Sequence, residues 1–156
     1  MKNLSLVLII ALVLGIAIRA NAAEEKRTAE IIGLNGEASI MAAGQSNWSP
    51  ARIGTIFNEG DTLKTAANSM ATLNVDGKGQ TATVEVSEGS QLLLSTMAVD
   101  SQAGTSKTLL DLAVGEVLIK AQKVHGAESK FEVKTPTSIV GVRGTTFRVK
   151  VEALEE

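Results

Sequence analysis

Apolar residues recur at every second position along most of this chain, and short glycine-bearing turns separate the runs. In Ala71-Thr72-Leu73-Asn74-Val75 the odd positions are apolar. In Thr81-Ala82-Thr83-Val84-Glu85-Val86-Ser87 the even positions are. Phe131 and Val133 alternate with Glu132 and Lys134, and Phe147, Val149 and Val151 with Arg148, Lys150 and Glu152. A period of two marks strands with one buried and one wet face. Glu30–Leu34, Glu37–Met41, Gln91–Ser95, Thr108–Val114 and Glu116–Ala121 are less regular strands of the same kind. Asn35-Gly36 and Asp76-Gly77 carry the pairs that favour tight hairpin turns, where both central residues need positive φ. No window shows an amphipathic helix. The expected fold is all-β: a single domain of many short strands, as a β-sandwich or a stacked, solenoid-like coil. Gln45 to Asn47, Ala98 to Ser106 and Val124 to Ser129 are expected loops, the middle one the most mobile.

Residues 1–22 break the pattern. Met1-Lys2-Asn3 is a short basic start, and Leu4 to Ile18 is an apolar run of about 15 residues, short for a membrane span of about 20. Ala20 and Ala22, before Ala23, fit the small-residue pattern that a signal peptidase reads. The segment is therefore expected to be a secretory signal cleaved after Ala22, with residues 23–29 a flexible leader and 30–152 the domain. Arg19, late in the run, argues against a deep span. Cleavage removes Lys2 and Arg19, taking 15 basic side chains to 13 against 17 acidic ones, a formal charge of −4. The mature chain is expected in the periplasm or outside the cell, with no stable membrane span.

Composition then excludes several classes of function. With no cysteine, the chain has no disulfide scaffold, thiolate metal site, cysteine nucleophile or N-terminal lipid anchor. The single histidine, His125, rules out a multi-histidine metal site. A mildly acidic chain with 3% aromatic residues has neither the charge nor the stacking surface for nucleic acid. No Gly-x-Ser-x-Gly elbow or phosphate-binding glycine loop is present. Glu85 and Glu88 read as the wet edge of a strand and its turn.

The order and spacing of several motifs resemble the FecR domain family. The C-terminal part carries most of the likeness: Phe131-Glu132-Val133-Lys134-Thr135-Pro136-Thr137, then Gly141-Val142-Arg143-Gly144-Thr145-Thr146-Phe147. Upstream, Trp48 precedes Glu59-Gly60-Asp61-Thr62-Leu63-Lys64-Thr65, followed by an apolar strand and the Asp76-Gly77 turn. Leu109 to Val117, with Gly115, resembles the family's later strand pair. The likeness runs roughly from Ile31 to Val151. It implies an exported β module related to envelope regulators that relay a signal through one span to a cytoplasmic segment controlling a sigma factor. Only Met1 to Asn3 precede the apolar run here, so a stand-alone module is expected rather than direct sigma-factor control.

The motif residues are expected to act mainly in the structure. Arg143, beside Gly144, would tie loop carbonyls or a carboxylate such as Asp61 or Asp76, with recognition of an anionic group as the sharper alternative. Asp61 would cap a turn by accepting backbone N–H bonds, since a calcium loop needs more oxygen ligands than Glu59 adds. Trp48 is expected to fill a core poor in aromatics; exposed, it would stack on a sugar or anchor a partner. No cofactor, metal or catalytic residue is indicated. The expected function is a non-enzymatic binding or envelope-signalling scaffold. Its partner would be an envelope protein or a cell-wall or carbohydrate component. The alternatives are a relay regulator kept on an uncleaved N-terminal anchor and, more weakly, a hydrolase.

Overall fold

The computed structural model describes residues 27–76, 81–100, 104–122, 129–142 and 144–153. The segment 1–26, with the expected cleavage site, lies outside them, as do Gly77, His125 and Arg143. The strands are β1 (Ala29–Asn35), β2 (Ala38–Met41), β3 (Ser49–Pro50), β4 (Ile56–Phe57), β5 (Thr62–Thr65) and β6 (Met70–Val75). They continue as β7 (Ala82–Val86), β8 (Gln91–Asp100), β9 (Thr105–Ala121), β10 (Lys130–Lys134), β11 (Ile139–Val142) and β12 (Thr146–Val151). No helix occurs among the described residues. The expected all-β domain is present, as one curled, mainly antiparallel twelve-stranded sheet shaped like a half-barrel.

The curl divides the sheet into two arms that share β9. One arm runs β4-β1-β6-β7 onto the C-terminal half of β9 and then β12. The other runs β3-β2-β5-β8 onto the N-terminal half of β9, then β10 and β11. Among the described residues only β9 and β10 pair in parallel. Ile31, Leu73, Val84 and Ile119 of the first arm form one buried cluster with Leu63, Leu92, Leu110 and Phe131 of the second. The alternation read from sequence is the reason: each strand lends its apolar face to this common core.

Several boundaries differ from the sequence reading. Thr108–Val114 and Glu116–Ala121 belong to one strand of 17 residues. Its buried positions change from Leu110 and Leu112 to Val117 and Ile119, a switch of parity made at Gly115. The expected loop Ala98–Ser106 is shorter, because β8 runs on to Asp100 and β9 starts at Thr105. Asn35-Gly36 is not a hairpin turn. β1 pairs with β4 and β6 while β2 pairs with β3 and β5, so the chain passes there from one arm to the other. Asp76 does lie in a β6–β7 hairpin with positive φ of 74°, but pairing resumes only at Val75↔Ala82, so the connection is longer than two residues.

Arg27 to Ala29, read as part of the flexible leader, are built into the fold. Ala29 is fully buried in β1. Arg27 donates to Thr108 Oγ1 at 3.0 Å and Thr81 Oγ1 at 2.7 Å, and pairs with Asp76 at 3.5 Å. Thr81 also donates to Asp76. Thr81 precedes β7 in one arm and Thr108 lies on β9 in the other, so one guanidinium ties both arms to the N-terminal strand.

Candidate functional site

Thr65 and Gly115, far apart in sequence, meet at Ser90. The Thr65 hydroxyl donates to the Ser87 carbonyl at 2.6 Å and accepts from the Ser90 N–H at 3.0 Å. Gly115 has φ of 97°, and an added Cβ would stand 2.4 Å from the Ser90 Cα. Ser90 is fully buried, and its Oγ accepts the Glu116 N–H at 3.0 Å. Gly36 repeats this arrangement. Its φ is 80°, its Cβ position is filled by Ser69, and Ser69 Oγ accepts the Glu37 N–H at 2.9 Å. The correspondence extends further: Ala66 N–H donates to Glu37 O, and Ser87 N–H to Glu116 O. Each serine follows a residue with positive φ, Asn68 or Gly89, and sits three positions after the residue making that bond. The two serine corners join through Gly89 N–H to Ala66 O and Asn68 N–H to Glu88 Oε2. Four crossings between the arms therefore stack as a hydrogen-bonded spine. The close approach leaves no room for a side chain on Gly36 or Gly115.

Gly60 and Asp61 organise a different corner. Asp61 is buried, and its carboxylate accepts the N–H groups of Ala43 and Asn58, both at 2.8 Å. Glu59 accepts the Met97 N–H at 2.8 Å. Asp61 thus acts as a turn acceptor, as expected, while Glu59 holds a backbone N–H of β8. Asp61→Ala should lower stability by about 2 kcal/mol, because two backbone N–H donors lose a charged acceptor. Chemical denaturation measures this, and a loss below about 0.5 kcal/mol would refute the capping role. Among the described residues no group of three or more His, Asp or Glu side chains is placed to hold a metal ion.

The C-terminal motif residues line β9 on both sides of the point where it crosses between the arms. Phe131 of β10 is buried opposite Val142 of β11. Thr135 closes the β10–β11 turn, its N–H donating to Ser138 O at 2.8 Å and its hydroxyl accepting the Ser138 N–H at 3.0 Å. Pro136 follows at the exposed tip. Gly144 has φ of 63°, Thr145 O accepts the Ala121 N–H, and Phe147 of β12 packs half-buried against the core. Arg143 is outside the described residues, and the aspartates expected to meet it have other partners. Asp76 pairs with Arg27, and Asp61 holds backbone.

A groove opens beside this crossing. β10 leaves β9 at Lys134↔Asp111, and β12 joins it only at Val151↔Gly115. Among the described residues, therefore, no strand lies beside Leu112 to Val114 on this side. A cavity of about 840 Å³ lies there, bounded by Ala113 and Val114, the turn Thr135 to Thr137, and Lys150 to Ala153. Lys150 and Glu152 pair across its rim at 3.0 Å, and hydrogen bonding to Glu152 raises the lysine above its ordinary pKa. Lys150 stays charged at neutral pH.

Trp48 does not fill the core. It is 40% exposed, with the Lys64 ammonium 6.0 Å from its ring centre. Trp48 precedes β3, a two-residue edge strand, while aliphatic side chains close the core beneath. Sequence reasoning also missed Arg27, Ser69 and Ser90. The like spacing of Ala66-Ala67-Asn68-Ser69 and Ser87-Glu88-Gly89-Ser90 before apolar strands is the signal that could have revealed the two serines.

The corner spine and the split around β9 define a curled all-β scaffold domain with an open stretch of strand at its centre. The chain belongs to the FecR family, whose model, FecR protein, matches residues 61–155. This is a family of signalling regulators of the cell envelope. The matched region begins at Asp61; β1 to β4, before it, complete both arms. No curated protein and no solved structure matches the chain.

Proposed function

We propose that the chain is an exported, non-enzymatic scaffold of the cell envelope that binds an extended segment of an envelope protein in the groove beside β9. The observation that carries this reading is the stretch Leu112 to Val114, unpaired on its groove side and bordered by Thr135 and Pro136. A short extended segment laid there gains backbone hydrogen bonds from β9 and apolar contact with Val114, Pro136 and Val151. The Lys150–Glu152 pair at the rim supplies charge selectivity rather than affinity.

A photo-crosslinking residue at Thr137 or Ala153, in living cells, should capture one and the same envelope protein. The same residue at Thr83, on β7 in the first arm, should not. Val151→Lys should abolish capture while leaving the β-sheet circular dichroism spectrum intact. Equal capture from Thr83, or none from the groove, would overturn the reading. N-terminal sequencing tests export separately: a start at Ala23 in the periplasm is expected. A start at Met1 in the membrane fraction would favour the anchored relay.

A second reading, binding of a cell-wall carbohydrate, is favoured by the exposure of Trp48 beside Lys64. Stacking on a sugar would change the emission of this sole tryptophan during titration with soluble cell-wall fragments. Unchanged emission at saturating fragment would exclude it.

A further inference from the structure

The sheet ends in four strands, and three of them are protected. β3 and β4 are two residues long, and β3 contains Pro50. β12 exposes Arg148 and Lys150, the kind of charge that discourages edge pairing. β11 is different. It is four residues long, pairs only with β10, and carries no charge: Ile139-Val140-Gly141-Val142. Ile139 is 64% and Val140 37% exposed. Among the described residues no strand lies on its far side.

Gly141 adds an independent observation. Every other described glycine has a reason within the fold, either a positive φ or, at Gly33, close contact with Thr72. Gly141 has neither; a Cβ built there would meet open space. A strand glycine without an intramolecular role marks a place where another backbone approaches closely.

We propose that β11 pairs antiparallel with β11 of a second copy of this chain, forming a two-fold dimer through a continuous sheet. Pairing centred on Val140 sets Val140 against the partner's Val140 and Ile139 against the partner's Gly141. No like charges oppose each other in this ladder, and the glycine leaves room for the facing isoleucine. The other edges are too short or too charged to receive β11, so the contact closes on itself instead of growing into a filament. A four-residue ladder is far smaller than the ~1,200 Å² of a stable complex, so the dimer is weak and concentration-dependent.

The absence of cysteine permits a direct test on the full chain in its native N-terminal form. Under mild oxidation, Val140→Cys, which faces its own copy across the two-fold axis, should give a disulfide-linked dimer in large excess over Trp48→Cys and Arg148→Cys. Sedimentation velocity should show reversible dimerisation of the cysteine-free chain, with the dissociation constant raised at least tenfold by Ile139→Lys, a change at an exposed site. Disulfide yields at β11 no higher than at Trp48, or association unaffected by Ile139→Lys, would overturn the proposal.

Discussion

Replacing Gly115 with alanine should lower the unfolding free energy by about 3–5 kcal/mol, the largest single effect expected in this domain. Positive φ contributes about 1–3 kcal/mol of strain for a residue with a side chain. The rest comes from the new Cβ, which would stand 2.4 Å from the Ser90 Cα and 2.5 Å from its Cβ. Because backbone is in the way, no rotamer change relieves the clash; one strand must move away from the other. That motion also stretches the Glu116 N–H bond to Ser90. For a domain of this size the melting temperature should fall by roughly 10–20 °C. Gly104→Ala is the matched control, because Gly104 has φ of 64° but open space around it, and should lose only about 1 kcal/mol. Equal losses in the two variants would show that backbone strain, not the corner contact, requires Gly115.

Arg27→Met should destabilise the domain by about 2–4 kcal/mol. The Arg27 side chain is 8% and the Asp76 side chain 17% exposed. Burial pulls the guanidinium below its ordinary pKa, and the charge of Asp76 opposes that pull. Removing the cation leaves a largely buried carboxylate without this counter-ion and two threonine hydroxyls without the guanidinium donor, which costs more than the intact pair contributes. Arg27→Met with Asp76→Asn should therefore be less harmful than the sum of the single changes, with a coupling of about 1–3 kcal/mol. Screening reaches buried pairs poorly, so the loss should persist in 1 M salt. Urea denaturation of the four variants measures both quantities. Additive losses, or a loss below 1 kcal/mol for Arg27→Met, would reduce this contact to a surface pair.

These two sites differ in how far the sequence revealed them. Gly115 stood out as a motif glycine in a strand region, but its partner Ser90 did not, because the contact joins a strand to a turn residue 25 positions earlier. Arg27 looked like a charged leader, since a run of charges before the first strand normally stays in water. It is drawn in because Asp76, Thr81 and Thr108 converge at the end of the core, a coincidence of two hairpin positions and one strand position that no local pattern records. Asn35-Gly36 misled for a related reason. The glycine's positive φ was legible, but positive φ serves a hairpin and a corner equally, and packing against Ser69 decided for the corner. Trp48 was expected inside on the strength of its size, but aliphatic side chains alternating from both arms had already filled the interior.

The sequence by itself determined the all-β class, the faces of most strands, the acceptor role of Asp61 and the likeness to FecR. All of these follow from period-two patterning, turn residues and short motifs, which are local. Only the tertiary structure decided which strands became neighbours, the sharing of β9 between two arms, and the groove where β10 and β12 part from it. The reason lies in the geometry of pairing. A strand's face is set by its own alternation, but its neighbours are chosen by hydrogen bonds and close contacts between residues many positions apart, such as Gly115 with Ser90 and Arg27 with Thr108.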